Sequence, residues 1–89
     1  FNVSRKLSEI LLNWTTESEV NTKEFEVQRS SDGNSFETIK IVEAANKSGK
    51  NSYSEIDNAI SADEIYYRLK MVDLDGTFSY SDVKVVRST

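Results

Sequence analysis

Apolar side chains recur at every second position in this 89-residue chain, and no window shows a sustained helical period. Phe25 and Val27 alternate with Glu24, Glu26 and Gln28. Ile10, Leu12 and Trp14 alternate with Leu11, Asn13 and Thr15. Tyr67, Leu69 and Met71 alternate with Tyr66, Arg68, Lys70 and Val72, and Val83 and Val85 alternate with Asp82, Lys84 and Val86. A strand points its side chains to opposite faces in turn, so each segment offers one face to a core and one to water. The stretch FEVQRSSDGNSFETI shows how two such segments join. FEVQRS and SFETIKIV predict antiparallel strands with their apolar rows on a common core, and SDGN turns the corner between them. Ile39 and Ile41 alternate with Thr38, Lys40 and Val42, which predicts that the two isoleucines share a face.

Seven strands are expected: around Val3, then Ile10–Thr15, Glu24–Arg29, Phe36–Val42, Tyr53–Ile56, Tyr66–Val72 and Thr77–Val86. Seven short antiparallel strands with frequent turns predict an all-β sandwich, and a small closed barrel is the alternative. Asp32-Gly33 and Asp75-Gly76 are turn pairs, because glycine accepts the positive φ that reverses the chain. Asn46 to Ser52 is polar and is expected to form a mobile loop, and Asn58 to Glu64 is a longer connection. The chain has no proline, so its edge strands must be protected by charge.

Length limits the protein to one domain, residues 1–89, with one core and roughly 60–65% of its unfolded surface buried. It opens in mid-pattern at Phe1 and closes on Arg87-Ser88-Thr89, so it reads as a domain cut from a longer protein. The net charge is −4 and no basic stripe is present, which argues against a nucleic-acid partner. No apolar run approaches the ~18 residues of a membrane span, so no membrane insertion is expected, and no signal-peptide pattern is present. Cysteine is absent, which excludes disulfides and thiolate metal sites.

Catalysis usually needs histidine, cysteine or a perturbed carboxylate, and this chain has neither of the first two. Its carboxylates mostly alternate with core positions and face water. No enzyme, catalytic residue or cofactor is expected. Asp73-Leu74-Asp75-Gly76 has the acidic alternation of a calcium loop, but Lys84 and Val85 lie where an EF-hand places its bidentate glutamate. A β-turn explains the same residues, and no metal is expected. Asn2-Val3-Ser4, Asn13-Trp14-Thr15 and Asn46-Lys47-Ser48 fit the glycosylation sequon, which short Asn- and Ser-rich segments match by chance. Tyr53, Tyr66, Phe78 and Tyr80 are candidates for a sugar-stacking platform. Alternation turns Tyr66 away from the core and puts Phe78 and Tyr80 on one face. Ordinary cross-strand pairing accounts for the same rings.

Three motifs together resemble the fibronectin type III, immunoglobulin-like sandwich. They are Leu12-Asn13-Trp14, Tyr67-Arg68-Leu69-Lys70-Met71, and Asp75-Gly76-Thr77-Phe78-Ser79-Tyr80-Ser81. The resemblance implies a core Trp14 and a "tyrosine corner" in which the Tyr67 hydroxyl bonds back to the backbone. With alternation it gives a core of Leu12, Trp14, Phe25, Val27, Tyr67, Leu69 and Met71. The strings LNWTTESEVNTKEFEVQRSSDGNSFETI and YYRLKMVDLDGTFSYSDVKVV are more specifically similar to a fibronectin-III-like module of secreted Bacteroidota proteins. In those proteins the module often precedes a C-terminal sorting domain of the type IX secretion route. That family often has Pro and Gly where this chain has Ile60 and Asp63. The resemblance implies a monomeric, non-catalytic spacer, secreted or at a bacterial cell surface, with neighbouring domains of its own chain as partners. A carbohydrate- or protein-binding accessory module is the alternative, with Tyr66, Phe78 and Tyr80 as ligand-binding candidates and a polysaccharide or surface protein as partner. A segment that only completes an enzyme's fold is a third reading.

Overall fold

Alternation of this kind leaves each strand with one apolar row, and two sheets must meet for those rows to leave water. A computed structural model of the chain describes residues 1–6, 9–17, 19–58 and 64–87. Eight strands follow one another: β1 (Asn2–Lys6), β2 (Glu9–Thr16), β3 (Thr22–Ser30), β4 (Glu37–Glu43), β5 (Asn51–Asn58), β6 (Glu64–Asp73), β7 (Phe78–Tyr80) and β8 (Lys84–Arg87). There is no helix among the described residues. One sheet has the order β1-β2-β5. The other runs β4-β3-β6, and both β7 and β8 pair with β6. Every pairing is antiparallel. The protein is therefore all-β, with two antiparallel sheets in an arrangement consistent with a sandwich.

Among the described residues there are eight strands and not seven, because the last expected strand is broken. β7 pairs with the upper part of β6 (Lys70 opposite Tyr80) and β8 with its lower part (Ile65 opposite Val86). Between them the chain leaves the ladder at Ser81. The Ser81 amide donates to the Leu69 carbonyl, and its hydroxyl accepts the Leu69 N–H, both at 2.8 Å. A side chain thus supplies one rung while the backbone steps aside.

The core lies between the sheets. Ile10, Leu12 and Trp14 come from β2, Phe25 and Val27 from β3, Ile65, Tyr67 and Leu69 from β6, and Val86 from β8. Met71 is only partly buried and packs against this cluster, near the end of β6. Trp14 meets Phe25 at 5.6 Å, Tyr53 at 5.4 Å and Phe1 at 6.3 Å between ring centroids, in tilted and edge-on arrangements. Such pairs add to stability beyond simple area burial. Tyr53 is accordingly a rim residue of the core and not part of an outer platform. Tyr67 occupies the opposite end of the core.

A bulge resets the alternation in β4. Val27 faces Lys40 and Gln28 faces Thr38, so Ile39 is the extra residue. After the bulge Ile39 and Val42 both pack against the core, and Ile41 is left 61% exposed. The expectation that Ile39 and Ile41 share a face fails at this one inserted residue.

Polar side chains close both ends. At one end the Tyr67 hydroxyl donates to Asp57 Oδ2 at 2.6 Å, and Arg29 Nη1 lies 3.0 and 2.9 Å from the two Asp57 oxygens. This departs from the expected tyrosine corner: the hydroxyl reaches a carboxylate of the facing sheet, which offers a charged acceptor inside the core. Burial, and then Asp57, push the Tyr67 phenol far above its ordinary value. At the other end Glu19 is buried and accepts from Thr16 Oγ1, the Tyr53 hydroxyl and the Asn46 amide. Burial acts to raise the Glu19 carboxyl, but these hydrogen bonds outweigh it and hold the group below its ordinary value.

The segment expected to be a mobile loop is anchored by this cluster. The Asn46 side chain bonds both the N–H and the C=O of Thr22, and the Glu19 amide donates to the Lys47 carbonyl. Asn51 and Ser52 already belong to β5. Residues 59–63, which include Ile60 and Asp63, lie outside the described residues.

Trp14→Ala should destabilise the protein by ~3–5 kcal/mol, read from chemical denaturation, since it empties a site lined by three rings. Acid should weaken the fold in a defined window. Glu19, Glu64 and Asp75 sit below their ordinary values, and Asp32 is lowered to about 2. A carboxylate depressed in the folded state stabilises it above the unfolded value and stops doing so as pH falls through the folded one. Stability should be full at neutral pH, begin to fall near the ordinary glutamate value of 4.5, and keep falling toward about 2. Glu19→Gln should make that profile shallower in a pH series of melts.

Candidate functional site

With one face of each sheet committed to the core, any surface for recognition must be built from the outward-pointing row. On the five-stranded sheet that row includes Glu26 and Gln28 from β3, Tyr66, Arg68 and Lys70 from β6, and Phe78 and Tyr80 from β7. Register places Gln28 opposite Arg68, Glu26 opposite Lys70, and Tyr80 opposite Lys70.

Arg68 organises this face. Its Cζ lies 4.1 Å from the ring centroid of Phe36 and 4.0 Å from that of Tyr80, over both rings. Its Nε donates to Gln28 Oε1 at 2.7 Å. Gln28 is held in turn: its Nε2 donates to Thr38 Oγ1, and the Thr38 hydroxyl donates to Glu26 Oε1. Lys70 Nζ sits 4.2 Å above the Phe78 ring. Each cation is attracted by the electron-rich face of a ring and covers part of its apolar surface.

The three rings singled out from the sequence do not form one platform. Phe78 and Tyr80 meet at 5.5 Å with their planes 70° apart, so they are edge-on and not coplanar. They are 53% and 46% exposed. Tyr66 stands on the same row but beyond Arg68, and it is only half-buried. Its ring covers Gly33, where an added Cβ would lie 3.3 Å from Tyr66 Cε2, and its hydroxyl donates to Glu64. Tyr66 therefore serves the β3–β4 turn. Arg68, Lys70, Gln28 and Phe36 were not singled out by sequence reasoning. Alternation already put Arg68 and Lys70 on the outer row with Tyr66, and that was the available signal. Phe36 carried no such signal, because it precedes β4 and joins the face through its position beside Arg68.

The turns are built for geometry. Asp32 Oδ1 accepts the amides of Asn34 and Ser35 and the hydroxyl of Ser30. Asp75 Oδ1 accepts both the amide and the hydroxyl of Thr77, which commits that oxygen to its own turn. No group of three or more acidic residues is placed to hold a metal ion among the described residues. The surface depression beside Ser30 and Phe36 is lined by Arg29, whose guanidinium is already committed to Asp57 and Glu37.

Gly33→Ala should destabilise the protein by ~1–2 kcal/mol in a thermal or denaturant melt. The position has φ near +81°, which costs an L side chain about that much, and the methyl group would press on Tyr66.

Compared with protein-family models, with curated proteins and with solved structures, the chain matches none.

Proposed function

We propose that this chain is a fibronectin type III-like, immunoglobulin-like module of a multidomain secreted or cell-surface bacterial protein, and that its role is structural. It is a non-catalytic spacer that fixes the distance and orientation between neighbouring domains of the same chain. The observation that carries this reading is the direction of the first and last strands. β1 starts beside Asn13, at the end of the molecule marked by Trp14, and β8 finishes beside Glu64, at the end marked by Asp57 and Tyr67. Segments joined before β1 and after β8 are thereby held at opposite ends of a body whose longest extent is 38 Å. A chain that entered and left at the same end would fold its neighbours together. The two strings similar to the Bacteroidota module support the cellular setting, and the lack of histidine and cysteine supports a role without chemistry.

The exposed Phe78 and Tyr80 favour a second reading, an accessory module that binds carbohydrate or protein. Their edge-on geometry does not suit flat stacking of a neutral pyranose.

The spacer role is tested in the full-length parent protein by labelling the domains on either side and measuring their separation. Deleting this module should shorten the mean distance by tens of ångströms and leave the activities of both neighbours intact. An unchanged distance, or loss of a neighbour's own activity, would overturn the reading.

A further inference from the structure

Arg68, like Arg5 and unlike Arg29 and Arg87, has no carboxylate partner among the described residues, and unlike Arg5 it lies on the outer face of the larger sheet. Arg29 is paired with Asp57 and Glu37, and Arg87 is paired with Glu64. Arg68 has no carboxylate within ion-pair distance among the described residues, although the chain holds 15 acidic side chains against 11 basic ones. Its only hydrogen-bond partner there is the neutral Gln28 oxygen, on Nε. Its two terminal nitrogens make no hydrogen bond to a described residue, and the side chain as a whole is partly exposed. The guanidinium is nonetheless fixed by two rings and by a relay from Gln28 through Thr38 to Glu26. Holding a long side chain rigid costs rotamer entropy, and here that cost is met before any ligand arrives. The exposed edge of a fixed guanidinium is a two-pronged donor that matches a carboxylate.

From this geometry we propose that the outer face around Arg68 binds the carboxylate of a uronate-containing polysaccharide. Arg68 takes the carboxylate through its terminal nitrogens. Lys70, also without an acidic partner within ion-pair distance among the described residues, adds a second positive charge two positions along β6. The parts of Phe78 and Tyr80 that Lys70 and Arg68 leave uncovered can touch the sugar's C–H groups from the side and not by flat stacking. The face is the side of a sheet and not its edge, and this favours an extended polysaccharide over a peptide. A peptide that binds a β-sheet by strand pairing must add to its edge. Here one edge, β4, is interrupted at Ile39, and β7 has only three residues. The proposal stands apart from the spacer reading: its failure leaves the domain-separation experiment untouched, and the reverse also holds.

The test is an NMR titration of the folded protein with oligogalacturonate. Neutral xylo- and cello-oligosaccharides and an oligoglutamate peptide serve as parallel arms. Saturable shifts centred on Gln28, Arg68 and Tyr80 are expected with oligogalacturonate alone, weakening as salt is raised. Arg68→Lys keeps the charge but loses the paired donors, and should weaken binding by about tenfold or more. Gln28→Glu gives Arg68 a carboxylate of its own and should weaken binding similarly, so the idea stays testable if Arg68→Lys folds poorly. Absence of saturable shifts at millimolar oligogalacturonate would overturn the proposal. So would equal shifts with neutral sugars, equal or stronger shifts with oligoglutamate, or unchanged affinity in both variants.

Discussion

Two sheets with no covalent cross-link must be held in register by side chains alone, and the contact that does this at the charged end is centred on Asp57. Its carboxylate comes from β5 of the smaller sheet and takes the Arg29 guanidinium from β3 and the Tyr67 hydroxyl from β6, both in the larger one. A buried carboxylate is costly unless its lone pairs are used, and three donor contacts use them. The arrangement therefore has one favourable alignment of the sheets, where a purely apolar interface would tolerate sliding. Lys40 and Glu55 bridge the sheets again at 3.2 Å, but both are substantially solvated and such pairs contribute little. The opposite end depends on rings: Trp14 is surrounded by Phe1, Phe25 and Tyr53, and Tyr53 extends the cluster to Glu19.

The two faces of the larger sheet use aromatic rings in different ways. Inside, rings meet rings and exclude water. Outside, Phe36, Tyr80 and Phe78 are each visited by a cation. A ring partly covered by a guanidinium or ammonium presents less bare apolar area to other proteins, while the cation keeps its charge available. The same contact thus lowers non-specific stickiness and leaves a directed electrostatic feature.

Much of the architecture was legible from period-two patterning, because burial of one face constrains every second residue of a strand. The placement of Leu12, Trp14, Phe25, Val27, Tyr67 and Leu69 on inward rows follows from that rule. Three features did not follow from it. The bulge at Ile39 depends on pairing with β3, which a single strand's pattern does not encode. The break at Ser81 depends on a hydroxyl standing in for a backbone group. The anchoring of Asn46 depends on Thr22 and Glu19, 24 and 27 positions away. The candidate face was half legible. Alternation gave the row of Tyr66, Arg68 and Lys70, but of the rings that stood out in the sequence only Tyr80 packs on Arg68, and Phe36 supplies the second ring.

The bulge in β4 has a consequence for the open edge of the larger sheet. Open strand edges invite strand pairing between molecules, domain swapping and aggregation. At Ile39 and Lys40 two residues occupy the space of one, so a straight strand from another molecule cannot maintain continuous pairing along this edge. Lys40 is also held toward Glu55 in the facing sheet, which gives this edge an inward-pointing charge that an added strand would have to accommodate. The inserted residue thus gives a proline-free edge a means of staying unpaired when other strands are near.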